Sequence, residues 1–343
     1  MNISVIGYGY WGSKHVRVLS AMPDVNVAVV DGNRDRLTQA SDAFSNVTTF
    51  ESVGDALEFS DAVVIATPPL THATLAQQAL EAGVHVMVEK PMAHSSETAA
   101  TLVDTAERNG LVLMVGHTFE YNAAVWRLRE AIVSGELGDV FYIDSSRLNL
   151  GLYQSDVNVL WDLAPHDVSI ANYLLGSSPT AVSAWGTAHA SGDLTDVAHM
   201  RLDYTDLNVT AYIHVSWLDP TKVRRVTVAG SAKMAVYDDL AGDERLRIYD
   251  KGVELPARAM HNVPMTYRHG DMVSPHVDFQ EPLAVEDRHF VDCVRGLVPC
   301  RTPGRSGYEV VTIIEAANRS LELGRPVSLA DRALPLGEVP AVI

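Results

Sequence analysis

The chain has 343 residues, enough for two domains with substantial cores, and its 47% apolar and 20% charged composition is that of an ordinary globular enzyme rather than a fibre or disordered segment. With 43 acidic against 26 basic residues it carries a formal charge of −17, which sets it against nucleic acid and anionic membrane by repulsion. Two cysteines, Cys293 and Cys300, are too few for a disulfide framework and show no metal-ligand spacing, so both read as structural and a reducing cytoplasm is the simplest home.

Met1 leads straight into an apolar strand without a basic leader, and no apolar run approaches bilayer length, so a soluble, unexported protein is expected. After the strand at 2–6 come Gly7, Tyr8, Gly9, Tyr10, Trp11 and Gly12, then a helical pattern through Leu19. In such a Gly-x-Gly-x-x-Gly turn the first glycine makes the bend, the second lets backbone approach a pyrophosphate, and the third lets helix pack on strand. The helix N-terminus then faces phosphate, which makes Gly7, Gly9, Tyr10, Trp11 and Gly12 candidate cofactor contacts. A second strand, 25–30, ends in Asp31, near the spacing at which an acid takes a ribose 2′-hydroxyl. A carboxylate there repels a 2′-phosphate and points to NAD; Asp31 can also be read as a turn residue before Gly32, and the nearby Arg34 keeps NADP open.

Strands at 62–66, 84–88 and 111–115 alternate with helices at 71–82 and 95–109, which predicts a doubly wound parallel sheet whose strand ends share one rim. That rim collects Thr67, Pro68 and His72, then Glu89, Lys90 and Pro91, then Gly116 and His117. Proline removes a donor and biases Lys90 towards an extended backbone at the edge where open sheets bind ligands. On those three residues alone a surface lysine ending a strand would serve as well.

From about Tyr121 the pattern changes, which divides the chain into a dinucleotide-binding domain, 1–120, and an α+β domain, 121–343. A helix at 122–134 leads into a long strand at 140–150, a helix at 162–174, and strands at 181–187, 198–204, 208–215, 224–229 and 233–237. Successive strands joined by turns predict a large open, mostly antiparallel sheet, with one broad face available for association. Residues 256–282 read as irregular, and His261, His269 and His276 within them as loop histidines, with no metal site. Helical runs at 285–295 and 306–323 close the chain, the first packing back on the dinucleotide domain.

Trp161, Asp162, Leu163, Ala164, Pro165, His166 and Asp167 place a carboxylate and an imidazole four residues apart, on one face of a helix. A carboxylate beside an imidazole raises its basicity, as proton transfer near neutral pH requires. Pro165 could break that helix, and the pair can also be read as a cap and a core histidine.

A glycine turn, Glu-Lys-Pro and Asp-x-x-x-His-Asp in this order resemble the Gfo/Idh/MocA family over essentially the whole chain. The resemblance implies a Rossmann domain, a C-terminal domain whose sheet mediates dimers or tetramers, and NAD- or NADP-linked oxidation or reduction of a secondary alcohol on a sugar, sugar nucleotide or cyclitol. It carries catalytic roles onto Lys90, Asp162 and His166. Ala164 stands where the common pattern has glycine, and no glycine-rich run precedes Asp162. His117, Tyr121, Asn122, Arg147, Asn149 and Tyr153 are further candidates for nicotinamide or substrate contacts. Together with Arg288–Cys293 and Arg301–Gly304, the Trp161–Asp167 run looks most like relatives that oxidise the 3-hydroxyl of a sugar nucleotide. Other outcomes are an inositol or free-sugar dehydrogenase, an NADPH-dependent 3-ketoreductase, a glycosidase-type relative that oxidises transiently, and a non-catalytic dinucleotide sensor.

Overall fold

The computed structural model describes residues 1–151, 153–154, 157–190, 192–254 and 266–329. They form two compact units, one of Met1–Tyr121 with Gln280–Glu315, the other of Asn122–Phe279 with residues 316–329.

The first unit runs β1 (Asn2–Ile6), α1 (Tyr10–Ser20), β2 (Asn26–Val30), α2 (Arg34–Ala43), β3 (Thr48–Phe50), α3 (Val53–Phe59), β4 (Ala62–Ile65), α4 (Pro69–Glu81), β5 (His85–Glu89), α5 (Ser96–Asn109) and β6 (Leu113–Gly116). Its six strands are all parallel in the order β3-β2-β1-β4-β5-β6. The order reverses between β1 and β4, where an open α/β sheet binds its ligand. The central strands are buried on both faces, which is why they read as unbroken Val/Ile runs. β3, α2 and α3 escape the sequence reading because each buries too little to show a period: α2 buries only Leu37 and Ala40.

The second unit opens with α6 (Ala123–Val133), β7 (Val140–Leu150) and α7 (Val159–Leu175). It continues through β8 (Ala181–Thr187), β9 (Val197–Tyr204), β10 (Val209–Ser216), β11 (Leu218–Gly230), β12 (Met234–Asp238), β13 (Leu246–Glu254) and β14 (Thr266–Val273). With the late strand β15 (Val327–Ser328) these form a nine-stranded sheet, β14-β13-β12-β11-β7-β10-β9-β8-β15, antiparallel except for the β7–β10 pair. One face buries Ile143, Met200, Leu202, Ala211 and Ile213, while Tyr142, Trp185 and Tyr212 lie exposed on the other. Such a one-sided face gives the alternation that made these strands legible.

β14 corrects the reading of 256–282 as irregular. It is an edge strand, polar and exposed along most of its length, so nothing in its pattern announced it. His269 lies on it; His261 lies outside the described residues. Pro165 does not break α7, which starts at an Asn158 cap accepting from Leu160 N and Trp161 N and runs on past the proline. The proline lies in the helix interior, where it removes the amide that would reach the carbonyl of Trp161, yet the helix continues to Leu175.

After the second unit come α8 (Pro282–Val294) and α9 (Gly304–Leu323). Leu283, Phe290 and Val291 of α8 join the first unit's core with Val16, Leu19, Val27 and Met114.

Candidate active site

The first unit positions its candidate residues largely through backbone. Gly7 has φ +94° and its N–H reaches Val30 O at 2.7 Å, while a Cβ there would lie 2.8 Å from Ala66 O. At Gly12 a Cβ would fall 1.7 Å from Gly7 O, so helix and turn can pack only without a side chain. Gly9 is different: nothing lies within 4 Å of the Cβ it lacks, and it starts α1 without a side-chain cap. An uncapped helix N-terminus beside open space fits a pyrophosphate. Tyr10 and Trp11, packed edge to face at 5.4 Å, are exposed on that first turn.

Asp31 folds over the glycine turn, accepting from Tyr8 N at 2.8 Å and from Asn33 N at 2.9 Å, with Arg36 Nη1 3.4 Å away. Arg34 is occupied with Glu51 at 2.9 Å. The residues present therefore fit a dinucleotide: glycine space for phosphate, and a carboxylate just after β2, where a ribose-binding acid is expected. Pro68 caps α4, and the Thr67 hydroxyl shares a hydrogen bond with Thr71 at 2.6 Å. His72, fully buried, lies between two rim loops, with Nδ1 2.9 Å from Pro91 O and Nε2 2.8 Å from Thr67 O, and its neutral ring donates to one of these carbonyls. Burial pushes its pKa down.

Lys90 follows β5, half-buried, with a cis bond to Pro91. Beneath it lies a polar network the sequence did not reveal. Glu89 is 6% exposed, accepts from Lys90 N at 3.2 Å, and pairs with His15 Nε2 at 3.2 Å; His15 Nδ1 in turn donates to Asp287 at 2.8 Å. Burial alone would lower the pKa of His15, but Asp287 and Glu89 outweigh it and raise the pKa well above the ordinary value, so both ring nitrogens donate. Glu89 is held low by that imidazolium despite its burial, whereas Glu286, buried beside Glu89, is pushed well up and accepts from Thr118 Oγ1 at 2.7 Å. His117, 2% exposed, is lowered to about 4 by burial, and neither ring nitrogen has a hydrogen-bond partner among the described residues. Tyr121 is in the core, its hydroxyl 3.0 Å from Thr302 Oγ1.

The second unit builds from side chains. Asp162 and His166 lie one turn apart on α7, and Trp217 Nε1 donates to Asp162 Oδ2 at 2.9 Å. Asp167 faces the sheet, taking Arg147 Nε at 2.7 Å, Arg147 Nη2 at 3.3 Å and Ser145 Oγ at 2.6 Å in a buried cluster that fixes α7 on β7. Asn122 caps α6 through Ala124 N and donates to Tyr237 OH at 3.0 Å. Asn149 and Tyr153 differ from these. Asn149 Oδ1 and Tyr153 OH are buried without a hydrogen-bond partner among the described residues, and the Tyr153 ring packs 5.4 Å from Trp217. Gly151 between them leaves room for Trp217, whose Cδ1 would lie 2.7 Å from an added Cβ.

Sequence reasoning missed His15, Asp287, Asp167 and Trp217 as supporting residues. The signals were faint: His15 is three residues after Gly12, and Asp167 is next to His166.

Residues 1–117 match the oxidoreductase family with an NAD-binding Rossmann fold, and residues 125–236 match the GFO/IDH/MocA C-terminal domain. A UDP-N-acetylglucosamine 3-dehydrogenase of Acidithiobacillus ferrooxidans is 32% identical over 304 residues, covering 86% of this chain and 93% of the relative. A solved structure of a UDP-N-acetylglucosamine 3-dehydrogenase from that organism superposes with a TM-score of 0.79 at 28% identity, over 94% of this chain and 98% of that one. GenD2 from gentamicin A biosynthesis, solved in complex with NAD, gives 0.81 at 27% identity over 96% of each chain. An inositol 2-dehydrogenase of Rhizobium meliloti is 24% identical over 347 residues, 96% of this chain and 99% of the relative. No helix among the described residues is long and apolar enough to cross a membrane. With a nicotinamide-binding Rossmann unit, a mixed open-sheet unit and a relative at that identity over most of both chains, this protein is an oxidoreductase belonging to the Gfo/Idh/MocA family.

Proposed function

We propose that the protein is an NAD-dependent dehydrogenase that oxidises the 3-hydroxyl of a sugar nucleotide. The observation that carries this reading is the cluster in the second unit, where the helical Asp162 and His166 accompany buried polar atoms of Asn149 and Tyr153 that lack partners among the described residues. Buried polar groups are normally satisfied, and a polyhydroxyl ligand would satisfy these. The similarity to a UDP-N-acetylglucosamine 3-dehydrogenase supports the nucleotide sugar and the carbon.

NAD supplies the hydride acceptor. Lys90 donates a hydrogen bond to the alcohol oxygen and stabilises its alkoxide character, while its backbone N–H rests on the ionised Glu89. His166 takes the hydroxyl proton, and Asp162, oriented by the Trp217 indole, stabilises the imidazolium. The neutral His117 ring offers one donor and one acceptor to nicotinamide or substrate. Asn149 and Tyr153 contact sugar hydroxyls. The proposal leaves Tyr121, Asn122 and Arg147 to structure, since their polar groups already bind Thr302, Tyr237 and Asp167.

NAD is favoured over NADP by the carboxylate of Asp31 at the spacing of a ribose-binding acid, folded against the glycine turn, and by the pairing of Arg34 with Glu51. The exposed aromatic face around Tyr142, Tyr212 and Trp185 supports a homodimer or homotetramer through the second unit's sheet. The free thiols of Cys293 and Cys300 support a reducing, cytoplasmic setting.

The test is NADH formation across UDP-, dTDP- and GDP-sugars, free sugars, sugar phosphates and inositols, with Lys90→Ala alongside. Turnover confined to a nucleotide sugar and lowered about 10²–10⁴-fold in the variant is expected. Turnover of inositol or free sugar alone would overturn the substrate, and tighter NADPH than NADH binding would overturn the cofactor.

A further inference from the structure

The sequence spacing of the two cysteines suggested no shared chemistry, yet the fold brings them together with a histidine. His289 and Cys293 lie one turn apart on α8, and the chain returns through Gly296, φ +69°, to place Cys300 beside them. A ligand-type atom of each of the three residues lies within 4.8 Å of the other two.

A soft metal is the first chemistry such a set suggests, but the hydrogen bonding of His289 disfavours it. The backbone N–H of Arg301 donates to His289 Nε2 at 3.0 Å. A backbone amide can only donate, so the neutral ring carries its proton on Nδ1. A metal at Nε2 would displace the amide. A metal at Nδ1 would force the proton onto Nε2, against the amide hydrogen. The same tautomer suits a sulfur anion, because Nδ1–H is then a donor.

We propose that Cys293 and Cys300 form a peroxide-reactive dithiol, with Cys293 the attacking sulfur, Cys300 the resolving one and His289 the positioning residue. The Cys300 sulfur beside it, with His289, draws the Cys293 pKa down against the opposing effect of burial, and the same contact pushes Cys300 well up. The pair is thus biased towards a thiolate at Cys293 and a thiol at Cys300. Asp292 opposes the Cys293 charge and Glu120 that of Cys300, while Thr302 N–H donates to the Cys300 sulfur. Thr302 is itself fixed, fully buried, with its carbonyl on Val115 N at 2.9 Å and its hydroxyl on Tyr121. Cys293 is 6% exposed and Cys300, half-buried, is the more accessible of the two, so the oxidant must be small enough to pass it.

The Cys293 thiolate attacks one oxygen of a hydroperoxide, the O–O bond breaks, and the departing oxygen takes from solvent the proton that Cys293 gave up on ionising and leaves as water or alcohol. Cys293 is then a sulfenic acid. The Cys300 sulfur attacks it, an S–S bond forms, the S–OH bond breaks, and the hydroxyl leaves with the Cys300 proton as water. Two thiols are oxidised by two electrons and the peroxide is reduced by two.

The chain has no other cysteine, so thiol titration of the intact protein reads the reaction directly. Hydrogen peroxide should take the count from two to zero, with a 293–300 link in the non-reduced peptide map and no crosslinked dimer. In Cys300→Ser, Cys293 should accumulate as a sulfenic acid trapped by a dione. In Cys293→Ser, the remaining thiol should react at least about tenfold more slowly than wild-type, as its neutral form requires. His289→Gln should slow the wild-type reaction by about as much while leaving thermal unfolding of the reduced protein nearly unchanged. Equal reactivity of the two single variants, an intermolecular link, or one zinc per chain in the purified protein would overturn the proposal.

Discussion

The two units position their candidate residues with different materials. In the first, glycines and a helix end do the positioning, and the charged residues lie beneath the surface as Glu89, His15 and Asp287. In the second, every placement is by side chain: Trp217 holds Asp162, and Arg147 with Ser145 holds Asp167. Backbone geometry is local and tolerates one residue type, whereas side-chain placement recruits partners from strands far along the chain. The first kind of site should therefore fail by steric insult and the second by loss of a partner.

The largest expected effect tests that contrast inside the glycine turn. Gly12→Ala puts a methyl group where Gly7 O lies and should cost more than about 4 kcal/mol, or prevent folding, in urea denaturation. Gly9→Ala meets nothing and should cost less than about 1 kcal/mol, yet weaken NAD binding at least about tenfold by titration calorimetry. Similar stabilities for the two variants would break the comparison.

In the second unit Arg147→Ala leaves Asp167 buried without its guanidinium and should destabilise by about 3–5 kcal/mol. The double variant Arg147→Met with Asp167→Leu should recover much of that loss in the same denaturation, because no unpaired charge remains. A single variant close to wild-type would mean that α7 is fixed by apolar packing instead.

Protonation offers a third test. His117, held at about 4 in the folded protein against about 6.5 when unfolded, contributes stability that is present above pH 6.5 and lost as pH falls towards 4. The loss should be on the order of 3 kcal/mol, and His117→Gln should remove that slope from the stability–pH curve. His15 has the opposite sign: its pKa is raised, so its contribution is present below about pH 6.5 and declines as pH rises through the folded value. An unchanged acid limb in His117→Gln would show that its ring gains a partner in solution.

The smallest effect sharpens the contrast in the second unit. Trp217→Phe keeps most of the packing but removes the donor to Asp162, and should cost about 1 kcal/mol in stability and about tenfold in kcat with KM little changed. A larger change in KM than in kcat would make Trp217 a substrate contact rather than a positioning residue.

The sequence by itself determined the parallel sheet, the glycine turn, Asp31 and the order of the motifs, because buried strands and tight turns restrict residue type at fixed spacing. Its resemblance to the family picked out Lys90, Asp162 and His166 as candidates. Edge strand β14 and the short α2 and α3 left no trace, since elements that bury little need no apolar period. Only the tertiary structure decided what lies under the site. His15 meets Asp287 across 272 residues, Trp217 meets Asp162 across 55, and Cys293 meets Cys300 through a turn rather than a ligand spacing. Such pairings arise when the folded chain must satisfy buried polar groups, and that demand depends on which residues are neighbours in space.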